Sequence, residues 1–169
     1  MSIDGAPFSA DGLMATKTAR VETSPRLQAL CAAQNDESDI PDSYVINSDK
    51  EALCLEYIGN FRKEFEALYP KRQPLYLTAQ NEYGVEKFVC TTLRPTQLPY
   101  REVYDLASCA EFVAHFLHYE PLEHLTSPPR VLPSPGQIIN WTVADSFDMS
   151  LVLCSLLLGS GYDAFVVSS

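Results

Sequence analysis

The chain has 169 residues, 46% of them hydrophobic and 11% aromatic, and a formal net charge of −10. That length suits one domain plus an appendage, and the apolar content is enough for a core. The acidity speaks against nucleic acid and anionic membrane surfaces as partners, and no basic stripe offsets it, since Lys71–Arg72 stands isolated.

No apolar run approaches the ~20 residues of a membrane span. The opening "MSIDGAPFSADGLMATKTAR" lacks the continuous apolar block of a secretory leader, so the expected setting is the cytosol. Cys31, Cys54, Cys90, Cys109 and Cys154 are widely separated with no C-x-x-C pair, which does not suggest a disulfide framework. Cys109 and Cys154 lie in apolar helical patterns and read as small core hydrophobes. The sequon "NWT" at Asn140–Thr142 carries no weight without secretion.

Residues 1–42 are rich in Ser, Ala, Thr, Asp and Pro without sustained periodicity and read as a flexible arm. Within them "SPRLQALCAAQ" has the makings of a short helix formed on a partner. Residues 43–70 contain an amphipathic helix: Ser48 and Glu51 spell a capping box, and Pro70 marks the stop. Cys54, Ile58, Phe61, Phe65 and Leu68 step by four, three, four and three, the seam of a helix that packs on its own domain or on a partner helix.

"LYLTA" and "EKFVCTTLR" read as strands around the turn "NEYG". Ser108 is the expected cap of a helix over "CAEFVAHFLHYE", with Ala110, Val113, Phe116 and Leu117 on one face and Pro121 closing it. "TSPPRVLPSPG" is a rigid connector, its prolines excluding regular structure. "QIINWTVA" offers one helical turn or a short strand. A helix from about Ser146 to Leu158 is apolar around nearly its whole circumference and therefore central. Asp145 suits its N-cap, Asp148 suits its first-turn dipole, and Gly159 or Gly161 suits its close. "YDAFVV" is then expected to be a strand packed on this helix.

The stretches "LYLTAQNEYGVEKFVCTTLRPTQLPYREVYDLASCAEFVAHFLHYEPLE" and "FDMSLVLCSLLLGSGYDAFVVS" closely resemble the subunit-seven (lobo-type) family of the nexin–dynein regulatory complex. The resemblance implies an α+β fold: an incomplete transglutaminase-like (papain-like) domain over 71–169, its central buried helix packed on an antiparallel sheet. It also implies a place in the cilium or flagellum axoneme, linking doublet microtubules and regulating dynein alongside other subunits of that complex. The family pattern at the helix entrance is G-N-C-F-D, whose cysteine matches the nucleophile of active transglutaminase-like enzymes. Here those positions hold Ala144, Asp145, Ser146, Phe147 and Asp148.

That departure bears on chemistry. A thiol at a helix N-terminus ionises near neutral pH, from about 8.5 to as low as about 3.5, whereas a serine hydroxyl needs a positioned base. His115, His118 and His124 all precede the helix, and no G-x-S-x-G elbow surrounds Ser146. His115 and His118, three apart on the expected helix, make a poor zinc signal. Ser146, at a degenerate nucleophile position, is therefore expected to be a second N-cap candidate beside Asp145. No cofactor, metal, nucleic acid, membrane or small-molecule substrate is expected. The expected role is a non-catalytic structural subunit of the ciliary complex, with Cys54, Ile58, Phe61, Phe65 and Leu68 as the contact surface. The alternatives are a protease or transglutaminase relative using groups outside this chain, and a general cytosolic interaction module. The end at Ser169 leaves Phe165, Val166 and Val167 on an unpaired edge, which suggests a fragment or a shortened paralogue.

Overall fold

The computed structural model describes residues 24–35, 40–122, 124 and 126–167. The elements run α1 (Pro25–Asn35), α2 (Asp42–Val45), α3 (Asp49–Leu68), β1 (Thr78–Gln80), β2 (Glu86–Phe88) and α4 (Val89–Thr92). A 3-10 turn (Arg101–Tyr104), α5 (Leu106–Phe116), β3 (His118–Tyr119), α6 (Pro135–Trp141), β4 (Val143–Ala144) and α7 (Ser146–Gly159) follow. The mixture of helices and small sheets is α+β. Residues 1–23 and 36–39 of the expected arm lie outside the described residues.

The apolar circumference of α7 has the consequence the sequence suggests. Val152, Leu156 and Leu157 pack with Cys109 and Val113 of α5, Leu117 just past its end, Ile138 of α6 and Ala144 of β4 in the main core. On another face Leu151 meets Ala79 and Leu132, with Tyr76, Val89, Leu93 and Phe147 around them. Cys109 and Cys154 are buried, as expected of small core hydrophobes. A third face is sealed by backbone: Thr96 N donates to Ser155 O at 3.0 Å, and the Ser155 hydroxyl donates to Thr96 Oγ1 at 2.7 Å. Gly161, at φ +93°, closes α7. Its amide donates to Leu158 O and the Tyr162 amide to Leu157 O, the paired bonds of a Schellman stop.

Several expectations are corrected. The central helix does not lie on one antiparallel sheet. β1 and β2 form an antiparallel hairpin, β3 and β4 form a separate parallel pair, and α7 packs between α5 and α6 on one side and the hairpin on the other. "YDAFVV" makes no strand: among the described residues, 162–167 form no ladder. The second hairpin strand ends at Phe88. Beyond it Thr91 Oγ1 donates to Phe88 O and Thr92 Oγ1 to Val89 O, turning the chain into α4.

Asp105, not Ser108, caps α5, accepting from the Ala107 and Ser108 amides; a carboxylate is the stronger acceptor at a helix start. The buried side of α5 is accordingly Cys109 and Val113, continued by its C-cap Leu117, while Ala110 and Phe116 are exposed. α5 ends at Phe116, so His115 and His118 do not share a helix face: His118 pairs with Val143 in the parallel sheet. The proline-rich connector also finds one ladder partner, Val131 bridging to Gln80. "QIINWTVA" supplies both alternatives, the end of α6 and then β4.

Helix α1, the short helix expected within the arm, lies against this chain's own β4 and at the entrance of α7. Arg26 makes the link, pairing with the acids that head α7.

Candidate functional site

The entrance of α7 is the most strongly charged buried place among the described residues. Asp145 is 1% exposed and Asp148 is fully buried. Together they form a capping box: Asp145 Oδ1 accepts from the Phe147 and Asp148 amides at 2.8 and 2.9 Å, and Asp148 Oδ2 accepts from the Asp145 amide at 3.3 Å. Two buried carboxylates on one turn repel and desolvate each other, so the site requires a cation. Arg26 of α1 supplies it. Its Nε donates to Asp148 Oδ2 at 2.7 Å and its Nη2 to Asp148 Oδ1 at 3.3 Å and Val131 O at 3.2 Å. Asp145 Oδ2 lies 3.2 Å from Nη2 without hydrogen-bond geometry and has no other partner.

The start of α1 is held as well. Ser24 caps it, donates its hydroxyl to Glu120, and Glu120 also accepts from the Arg26 amide at 3.1 Å. A carboxylate at a helix N-terminus suits the dipole. Tyr76 closes the remaining side, its ring edge-on to Phe147 with centroids 5.9 Å apart and its hydroxyl donating to Pro129 O. Burial, then the Asp145 and Asp148 charges, push the Tyr76 hydroxyl up to about 12.

Burial also raises Asp148, opposed by Arg26 and reinforced by Asp145, to about 6. A carboxyl whose folded value exceeds its unfolded one binds more protons when folded. Its contribution to stability therefore falls as pH rises from about 4 to about 6, and levels off above. Chemical denaturation across that window should show this slope in the wild type and lose it in Asp148→Asn. A wild-type minus variant difference that stays flat would contradict the assignment.

Ser146 is the first helical residue of α7 and is exposed. It is not the cap expected of it. Asp145, the other cap candidate, holds that place in extended conformation: its side chain takes the Phe147 and Asp148 amides, and its backbone carbonyl takes the Met149 amide. Among the described residues Ser146 makes no side-chain hydrogen bond, and none joins it to His115, His118 or His124, all exposed. The arrangement holds a hydroxyl at a helix N-terminus without a general base in contact.

Helix α3 starts as read, the Ser48 hydroxyl accepting from the Glu51 amide and Glu51 accepting from the Ser48 amide. Of the expected seam, Ile58 alone is buried, at 7% exposure. It faces the chain's own hairpin side together with half-buried Leu55 and Arg62, whose guanidinium donates to Thr78 Oγ1 at 2.8 Å. Cys54 is exposed and Phe65 half-buried, stacked near Tyr69. The solvent-facing stripe is Leu53 (68% exposed), Tyr57 (74%), Phe61 (46%) and Leu68 (72%). The sequence reading missed Leu53 and Tyr57 because it took a seam one residue too far round the helix at Ile58. Contiguous exposed apolar surface of this kind marks an interaction face.

Between α2, α3, the hairpin and α6 lies a polar cavity of about 210 Å³. Its buried charges are satisfied internally. Lys87 Nζ donates to Ser43 O at 2.8 Å and Glu51 Oε1 at 3.2 Å, while Glu82 accepts from the Ser134 amide and hydroxyl. Among the described residues no cluster of three or more His, Cys, Asp or Glu is placed to hold a metal ion, and no helix is long and apolar enough to cross a membrane.

Fold and site together define a small α+β scaffold whose N-terminal helix is ion-paired into the mouth of a central helix and whose longest helix keeps an open apolar face. The chain is similar to one stretch of dynein regulatory complex subunit 7. It is 55% identical to the Chlamydomonas reinhardtii protein over 133 residues, 79% of this chain and 12% of that one. To the Homo sapiens protein it is 42% identical over 149 residues, 88% of this chain and 17% of that one. To the coiled-coil domain-containing protein lobo of Drosophila melanogaster it is 41% identical over 136 residues, 80% of this chain and 15% of that one. The chain thus spans 12 to 18% of the length of such curated relatives. No family model matches it.

Proposed function

We propose that this chain is a non-catalytic structural segment of a dynein regulatory complex subunit of motile cilia or flagella. In this reading it helps to link doublet microtubules and to regulate dynein motility from the axoneme. The observation that carries the reading is 40 to 55% identity to proteins named dynein regulatory complex subunit 7, over up to 90% of the chain. The open stripe on α3 supports it as the face that meets other subunits. Ser146, exposed and without a base in contact, supports a degenerate form of a transglutaminase-like site rather than a working one.

The test is expression of the tagged chain in ciliated cells followed by axoneme isolation and co-purification. Other subunits of the complex should be recovered with it from the axonemal fraction. Recovery from the cell body alone overturns the ciliary reading. Separately, active-site-directed serine and thiol probes should leave Ser146 unlabelled. A covalent adduct on its hydroxyl overturns the non-catalytic part.

A further inference from the structure

The mouth of α7 is shaped for one guanidinium. Arg26 places two N–H groups on the two oxygens of Asp148 and turns the same terminal nitrogen toward Val131 O. That planar fork is arginine's; a lysine ammonium cannot span both oxygens and the carbonyl. One acceptor remains spare: Asp145 Oδ2, buried and without a hydrogen-bond partner, points at the same nitrogen. Three carboxylates, Asp145, Asp148 and Glu120, thus face a single cation, so the socket stays electronegative when filled.

Helix α1 buries few side chains along its length. Among those described, Leu30 and Ala33 are buried, Ser24, Arg26, Leu27 and Ala29 are half-buried, and Pro25, Gln28, Cys31 and Ala32 are exposed. Its opening Ser24-Pro25-Arg26 presents three polar groups to the carboxylates: a hydroxyl for Glu120, a first-turn amide for Glu120, and the guanidinium for Asp148. Elements with few buried apolar contacts open at low cost relative to the core.

We propose that the mouth of α7 is an arginine socket, filled in this chain by its own α1. When α1 lifts away, the socket accepts the leading arginine of a helix from another chain. The partner class is a helix that begins with a hydroxyl residue and carries arginine within its first turn, matching the carboxylates that hold α1. Because α1 belongs to the same chain, a competing helix must overcome an intramolecular partner, whose effective concentration can be of millimolar order.

A labelled peptide of residues 24–35, SPRLQALCAAQN, titrated with the full 169-residue chain carrying Arg26→Ala, should show saturable binding by fluorescence anisotropy. The same peptide with Arg26→Gln should bind at least roughly tenfold more weakly, since a hydrogen bond to a charged group is lost. The wild-type chain, its socket occupied, should bind the arginine peptide more weakly than the Arg26→Ala chain does. Equal affinity for the arginine and glutamine peptides overturns the proposal, as does equal binding by wild type and variant. If the Arg26→Ala chain does not fold, hydrogen exchange on the wild type decides. The α1 amides should exchange at least roughly tenfold faster than those of α7, and faster still on adding the arginine peptide but not the glutamine peptide. Exchange of α1 in step with α7 under both conditions overturns it.

Discussion

Gly159→Ala is expected to destabilise the chain by about 3 kcal/mol or more, although alanine is usually better than glycine in a helix by roughly 0.5–1 kcal/mol. A Cβ at this position would stand 1.9 Å from Thr96 O and 2.6 Å from Thr96 C. Those are backbone atoms, which cannot rotate aside like the end of a flexible side chain. To admit the methyl group, the 94–97 loop must lift from α7. Lifting breaks the Thr96 amide bond to Ser155 O, the Ser155 hydroxyl bond to Thr96 Oγ1, and the 2.7 Å bond from Gln97 Nε2 to Gly159 O. Each contributes about 1 kcal/mol, and the Ser155 hydroxyl would be left buried and unpaired. Gly59→Ala in the interior of α3 is the control: nothing lies within 4 Å of its Cβ, so the change should be neutral or slightly stabilising. Urea midpoints of the two variants should therefore move in opposite directions. A Gly159→Ala chain as stable as wild type would mean that the close approach of the loop is not real.

Tyr57→Glu together with Phe61→Glu should leave the fold within about 0.5 kcal/mol of wild type while abolishing incorporation into the complex. Both side chains stand on the solvent side of α3, so their replacement removes little internal packing. Two carboxylates placed where a partner must exclude water each cost several kcal/mol if no cation meets them. Ile58→Glu is the contrasting change: its side chain is buried on the chain's own side, and it should loosen α3 from the hairpin whether or not a partner is present. Phe65 is a poorer probe than Phe61, because it is half-buried with its ring centroid 5.1 Å from that of Tyr69. Circular dichroism of the purified variants together with axonemal co-purification separates the two effects. Normal incorporation of Tyr57→Glu/Phe61→Glu would place the docking face elsewhere.

Much of the scaffold was legible in sequence because its signals are local. The Ser48–Glu51 capping box, the apolar circumference of α7 and the acid pair at its first turn each act within a few residues, and each occurs where expected. The errors lie where a competing partner decides. Asp105 rather than Ser108 is the cap because the helix starts three residues earlier than expected, at Leu106, where a carboxylate can take the Ala107 and Ser108 amides. "YDAFVV" has strand composition, yet composition supplies no neighbouring strand. Arg26 went unnoticed because nothing within its own arm explains it; its reason, two carboxylates on α7, is far away in sequence. The sequence signal was present on the other side, since Asp145 and Asp148 heading a helix with no polar face must be buried and must find a cation.

The separation between Arg26 and Asp148 is 122 residues. During synthesis, which proceeds from the N-terminus at about 5–20 residues per second, the arginine leaves the ribosome many seconds before the carboxylates exist. For that interval the nascent helix has no berth of its own, and the cation is free to meet other acidic surfaces. The pairing therefore cannot form until α7 has been made, and it closes a long loop when it does.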